Sequence, residues 1–192
     1  MTHTTDSSHD IPFYNSRIID TYIKLLRTRY SFVNIEELLS AANMKEYEVS
    51  DPGHWFTQKR IDLFHQKLVQ LTGSERISRE AGRYAASPEA LGHVGHWILS
   101  HMNPAAAFMH FSRIIPRFTQ SISVESKKIH SNKVEVIVTP KDNVHEKEFQ
   151  CQNRIGHFEA IIRIFKCQSP HIEHHECVFR GFNYCKYIIS WK

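Results

Sequence analysis

Residues 151–191 read CQNRIGHFEAIIRIFKCQSPHIEHHECVFRGFNYCKYIISW, from Cys151 to Trp191. The first part has the period of a helix: Cys151, Ile155, Phe158, Ile162 and Phe165 recur at spacings of 4, 3, 4 and 3, which aligns them on one buried stripe. The remainder predicts two strands, near Ile172 to Phe179 and Tyr184 to Trp191, and the turn Arg180-Gly181-Phe182-Asn183 predicts that they form a hairpin. Cys151, His174, Cys177 and Cys185 thus stand in the pattern C-x22-H-x2-C-x7-C around one helix and two strands. Thiolates and imidazole are the groups tetrahedral Zn²⁺ prefers, and a structural zinc takes four of them and leaves no open position. A zinc staple is one reading of this spacing. The other is four unrelated core cysteines beside a surface cluster of His171, His174 and His175 with Glu173 and Glu176, since unliganded cysteine is itself commonly buried. Strand alternation sets a test between them: His174 and Cys177 would face opposite sides of a regular strand, so a bulge or a strand end must bring them together. Cys167 fits no ligand slot and reads as packing.

Upstream, Ser121 to Val124 and Val134 to Val138 alternate with period two and predict a hairpin. Before it the pattern is helical. Phe13 to Tyr30 carries Ile18, Ile19, Tyr22, Ile23, Leu25 and Leu26 at helical spacing. Asn34 with Glu37 opens a short helix through Ala42, and Thr57 caps a helix ended by Gly73, with Ile61, Phe64, Leu68 and Leu71 as its stripe. A short helix around Ile77, Ala81 and Tyr84 follows, and Ser87-Pro88 and Asn103-Pro104 each place a cap before a proline at the first helical position. The order is several helices followed by β-β-α-β-β. This predicts an α+β fold in which N-terminal helices pack on a small antiparallel sheet, as a single domain over residues 12–192 after a polar, disordered segment 1–11.

Composition narrows the functions open to such a chain. Its 192 residues are 41% apolar and 23% charged, enough for one real core, and no apolar run approaches the roughly 18 to 20 residues of a membrane span. Met1 to Asp10 is polar and carries acids, unlike a signal or transit peptide, so a cytoplasmic location and reduced or metal-bound cysteines are expected. A net charge of +4 is mild, and Lys127, Lys128, Lys133 and Lys141 are interleaved with acids and lack nearby stacking aromatics, so no nucleic-acid partner is expected. There is no Gly-x-Ser-x-Gly elbow, phosphate-cradling Gly-x4-Gly-Lys loop or His-Glu-x2-His helix, and a closed Cys₃His set offers no catalytic position. The chain is not expected to be an enzyme.

The segment Leu91 to Phe118 mixes large apolar bodies with few polar handles, which is how small-molecule pockets are lined. His96, Trp97, Phe108 and Phe111 are the ligand-binding candidates, with ordinary core as the alternative for the aromatics. His93, His96 or His110 could each serve as an axial haem ligand, and the lack of Cys-x-x-Cys-His excludes covalent haem.

The run Cys151 to Ala160, with Glu173-His-His-Glu-Cys177 and Gly181-Phe-Asn-Tyr-Cys185 to Trp191, resembles the 4-vinyl-reductase-type domain. The resemblance implies a structural zinc on Cys151, Cys177 and Cys185, with His174 where phenol-sensing members have Glu, and Glu173 or His175 as substitutes for that fourth ligand. Glu80 to Tyr84 and Asp51 to Phe56 resemble versions placed ahead of histidine kinase or diguanylate cyclase modules. The resemblance therefore implies a sensory input domain, a homodimer or an output module as partner, and a small hydrophobic or aromatic ligand. Such domains share a fold with haem-based nitric-oxide sensors, and their pocket lies between helices and sheet, apart from the zinc. In phenol-sensing members a His and a Trp hold the ligand's hydroxyl, the role His96 and Trp97 would have here. The rival readings are a ligand-free dimerising scaffold, a haem-based gas sensor and an accessory protein of tetrapyrrole metabolism.

Overall fold

Asn15, Asn34, Thr57 and Asn103 each open a helix by accepting a hydrogen bond from a backbone N–H of the first turn. In the computed structural model, which describes residues 11–167 and 169–192 and all their side chains except Val94, His96 and Leu99, these caps start α1 (Ser16–Arg29), α2 (Ile35–Ala41), α4 (Gln58–Thr72) and α7 (Pro104–Ile114). Gly73 ends α4 in the left-handed conformation with φ 64°, as its position after the apolar stripe predicts. The remaining helices are α3 (Glu46–Ser50), α5 (Ile77–Ala85), α6 (Pro88–Ser100), kinked at Gly92, and α8 (Glu148–Ile164). Two short strands, β1 (Pro12–Asn15) and β2 (Trp55–Thr57), pair antiparallel and tie the start of α1 to the start of α4. No described helix is long and apolar enough to cross a membrane.

The C-terminal half carries a four-stranded antiparallel sheet of β3 (Ile122–His130), β4 (Lys133–Pro140), β5 (His171–Glu173) and β6 (Cys185–Ser190) in the order β3-β4-β6-β5. Its inner face is set by period two: Val134, Val136 and Val138 lie opposite Ile189, Tyr187 and Cys185, all fully buried, while Glu135, Ile137, Lys186 and Ile188 face outward. α8 lays Cys151, Ile155, Phe158 and Ile162 on that face, in agreement with the stripe read from the sequence.

The molecule is thus α+β, with N-terminal helices and a sheet-and-helix C-terminal half. Two apolar cores result. One lies among α1, α2, α4 and α5 around Leu25, Leu38, Phe64 and Leu68, and the other between α7, α8 and the sheet around Phe108, Phe158, Tyr187 and Ile189.

The structure departs from the sequence reading in four places. Residues 12–15 are strand rather than the start of α1, and α3 and β2 have no counterpart in the periodicity, being too short to show one. The strand expected over 172–179 ends at Glu173, and the closing pair is joined by an 11-residue loop, His174 to Tyr184, instead of a tight turn at 180–183. A 3₁₀ turn at Val178–Arg180 and Gly181 at φ 87° take the place of the last part of the expected strand and of the tight turn. The segment 1–10 lies outside the described residues.

Candidate metal centre and interior cavity

Cys151 sits in the first turn of α8, His174 directly after β5, Cys177 just before the 3₁₀ turn, and Cys185 at the first residue of β6. One ligand atom from each lies within 4.8 Å of the others, and the three cysteines are buried. Cys185 Sγ is 3.7 Å from Cys151 Sγ and 3.6 Å from Cys177 Sγ. Tetrahedral zinc with bonds of about 2.3 Å to sulfur sets sulfur–sulfur edges at about 3.8 Å, so these spacings match the edges of a zinc tetrahedron. His174 completes the donor set and its Nε2 is buried without a hydrogen-bond partner, an orphaned polar atom of the kind a bound metal or its outer partners satisfies. The alternation that would set His174 and Cys177 on opposite faces does not apply, because the strand has ended before both. Cys167 stands apart, its Sγ directed to Phe165 O at 3.8 Å.

The surroundings hold the cluster in place. The His174 ring stacks on Tyr187 at 4.2 Å with an interplanar angle of 12°. Arg154 donates from Nη2 to Cys151 Sγ at 3.3 Å and from Nε to the Tyr187 hydroxyl at 3.1 Å, and it grips both carboxylate oxygens of Glu146 at 2.7 Å. The hydrogen bond with Cys185, together with burial, pushes the Cys151 thiol up, and the same bond pulls Cys185 down. Burial pushes Cys177 up and His174 down, so the imidazole is held in the neutral form that binds metals.

A cavity of about 730 Å³ lies between the two cores, within the range of small-molecule and cofactor sites. Ile61 and Phe64 wall it from the first core, Phe111 and Ile161 from the second, and Phe118 adds to the apolar lining. Among the described residues three imidazoles reach it, from His65 on α4, His110 on α7 and His157 on α8. Burial pushes both His65 and His157 down to about 4, so both are neutral near pH 7. His65 stacks on Phe149 at 3.9 Å, and its Nε2 is buried without a hydrogen-bond partner. A polar end is built by Tyr14, which donates to Gln58 and accepts from Gln150 at 2.9 Å. Arg17 and Lys24 on α1 line the same space.

Of the ligand candidates named from sequence, Phe111 lines the cavity. Phe108 does not. It is 0% exposed in the second core, packed edge-on against Phe158 and stacked on Trp191. Trp97 is 61% exposed and rests against His101 at 4.3 Å, away from the cavity, and the side chain of His96 lies outside the described residues. Sequence reasoning missed His65, His157 and Arg154. The one signal available was that Arg154 shares the Cys151–Ile155–Phe158 face of α8, an unusual place for a cation that lacks a partner.

No family model matches this chain, and no curated protein matches it significantly. Solved structures do. An H-NOX protein from S. oneidensis matches with a TM-score of 0.73 at 12% identity, over 93% of this chain and 96% of that one. An oxygen-binding H-NOX domain related to soluble guanylate cyclases matches with a TM-score of 0.72 at 19% identity, over 93% and 95% of the two chains. An H-NOX protein from K. algicida matches with a TM-score of 0.70 at 12% identity, over 93% and 96%. The chain therefore has the fold of H-NOX proteins, the haem-nitric oxide/oxygen binding domains. This corrects the resemblance to the 4-vinyl-reductase-type domain. That likeness was specific over about forty residues around the cysteines and generic over the helices before them, whereas the likeness to H-NOX structures runs over 93% of the chain.

Proposed function

We propose that this chain is a sensory domain that binds haem in its interior cavity and senses a diatomic gas there, with zinc as a structural staple on Cys151, His174, Cys177 and Cys185. The observation that carries the proposal is the 730 Å³ cavity between the two cores, lined by three histidines, in a chain that follows the H-NOX path over 93% of its length. The residues present fit the group. His110 or His157 offers an axial imidazole against the apolar walls of Phe111 and Ile161, and Arg17 offers a cation for the propionates, beside Lys24, which is paired with Asp20 at 2.7 Å. Haem, when bound, supplies an iron position for a gas.

The protein's part is to keep the imidazole neutral, exclude water and register occupancy. Burial keeps His157 unprotonated, and Phe111, Ile161 and Phe118 supply apolar surface around it. Because the cavity touches both cores, an occupant that packs better against one arrangement of them shifts the population, and the shift passes to a kinase or cyclase output module or to a homodimer partner. No catalytic step is proposed. A second reading, an organic hydrophobic or aromatic ligand, is favoured by the Tyr14–Gln58–Gln150 polar end and by the orphaned His65 Nε2, both suited to a ligand hydroxyl.

The test is a haemin titration of the purified protein read by visible absorption, with elemental analysis alongside. A Soret band that is lost in His110→Ala or His157→Ala, with one zinc per chain, is expected. No Soret band, together with a rise in melting temperature on adding phenols or fatty acids, moves the assignment to the second reading.

A further inference from the structure

Arg154 belongs to both sites. It lines the cavity together with Glu146, and its guanidinium also donates to Cys151 Sγ at 3.3 Å and to the hydroxyl of Tyr187, on whose ring His174 stacks. Both members of the Arg154–Glu146 pair are buried. A buried ion pair is seldom more stabilising than apolar residues of the same volume, so its presence calls for a use beyond packing. Glu146 takes two of the guanidinium's five N–H donors, in hydrogen bonds of 2.7 Å. Two further donors go to Cys151 Sγ in the metal cluster and to the Tyr187 hydroxyl that supports it.

A Cys₃His set loaded with Zn²⁺ carries three thiolates against two positive charges, a net charge of about −1, in a region shielded from water. Two guanidiniums stand near it: Arg180 donates to the carbonyls of His174 and His175, and Arg154 alone of the two donates to a cluster sulfur and also lines the cavity. We propose that Arg154 is the positioning residue that compensates the charge of the loaded cluster and thereby links metal occupancy to the shape of the cavity wall. With metal bound, Arg154 is held between two anions, the cluster and Glu146, and the wall is fixed. Without metal it keeps one anionic partner, and the wall loosens. Metal and cavity occupant therefore raise each other's affinity by the same factor. The inference rests on the metal-centre reading but is independent of what fills the cavity.

The test uses the full chain with Co²⁺ in place of Zn²⁺, so that thiolate-to-metal absorption reports both affinity and ligand field. Anilinonaphthalene sulfonate fluorescence reports the cavity in loaded and chelator-stripped protein, at a temperature where near-ultraviolet circular dichroism shows the stripped chain still folded, because the dye also binds loosened protein. Arg154→Met is expected to weaken Co²⁺ binding about 10- to 100-fold, the usual effect of removing an outer-shell partner, and to shift the absorption band, with Arg154→Lys recovering part of both. The dye is expected to bind wild-type protein at least about fivefold more tightly when metal is loaded, and the difference is expected to vanish in Arg154→Met. Should Arg154→Met fail to fold, the double variant Arg154→Met/Glu146→Gln removes the ion pair as a unit and is read in the same way. Wild-type affinity and band in the substituted protein, or a dye affinity indifferent to metal in the wild type, overturns the inference alone. Wild-type protein that takes up no Co²⁺ overturns the metal centre and this inference with it.

Discussion

Gly82 of α5 and Gly156 of α8 lie where the two helices cross backbone to backbone: a Cβ on Gly82 would stand 1.9 Å from Asn153 O, and one on Gly156 would stand 1.9 Å from Arg79 O. The crossing joins the two cores, and Arg79 and Arg83 clamp Glu159 beside it. Gly82→Ala and Gly156→Ala force the helices apart and are each expected to cost at least about 1 to 3 kcal/mol in urea unfolding. Gly95→Ala on α6, where the new Cβ meets nothing nearer than 3.4 Å, is expected to be neutral or to gain up to about 1 kcal/mol from helix propensity.

Removing one zinc ligand separates a staple from ordinary packing. Cys177→Ala is expected to lose the metal, found by elemental analysis, and to lower the melting temperature steeply, because the affinity of a structural zinc is folding free energy. A buried cysteine that merely packs would cost about 1 kcal/mol. Cys167→Ser, outside the cluster, is expected to keep one zinc per chain.

His65 and His157 make stability depend on pH from the acid side. Burial sets both near 4 in the folded chain against 6.5 unfolded. Between these values the unfolded chain binds protons that the folded chain refuses, so stability is full above pH 6.5 and falls as pH drops towards 4. Unfolding near pH 5 is expected to take up close to two protons from this source, measured as the slope of unfolding free energy against pH. His157→Leu should lower that slope by about half.

Glu159 acts in a lower window. Burial raises its pKa, but the hydrogen bonds from Arg79 and Arg83 outweigh that and hold the carboxyl below its ordinary 4.5. Its contribution is present above pH 4.5 and is lost as pH falls through the folded value. Glu159→Gln is expected to be less stable than wild type at pH 7 and to converge with it as the acid limb is reached, a comparison that urea midpoints at a series of pH values provide.

Much of the architecture was legible because it is written locally. Asn34, Thr57 and Asn103 mark helix starts by their side-chain oxygens, Gly73 marks a stop by its free φ, and Val134–Val138 shows by alternation which face of β4 is buried. The cysteine and histidine spacing singled out the four residues that the structure brings together. β1 and β2 were hidden because strands of three or four residues carry no period, and their pairing joins residues some forty positions apart.

The sequence by itself determined the α+β class, the buried stripe of α8 and the four candidate metal ligands, because periodicity, caps and ligand chemistry depend on near neighbours and residue type. Only the tertiary structure decided that β5 stops at Glu173, so that His174 can turn towards Cys177. It also decided that Phe108 is core while Phe111 lines a cavity, that His65 and His157 reach that cavity from α4 and α8, and that Arg154 stands between cavity and cysteines. These depend on how elements distant in the chain close on one another, and that closure is a property of the whole packing rather than of any local run of residues.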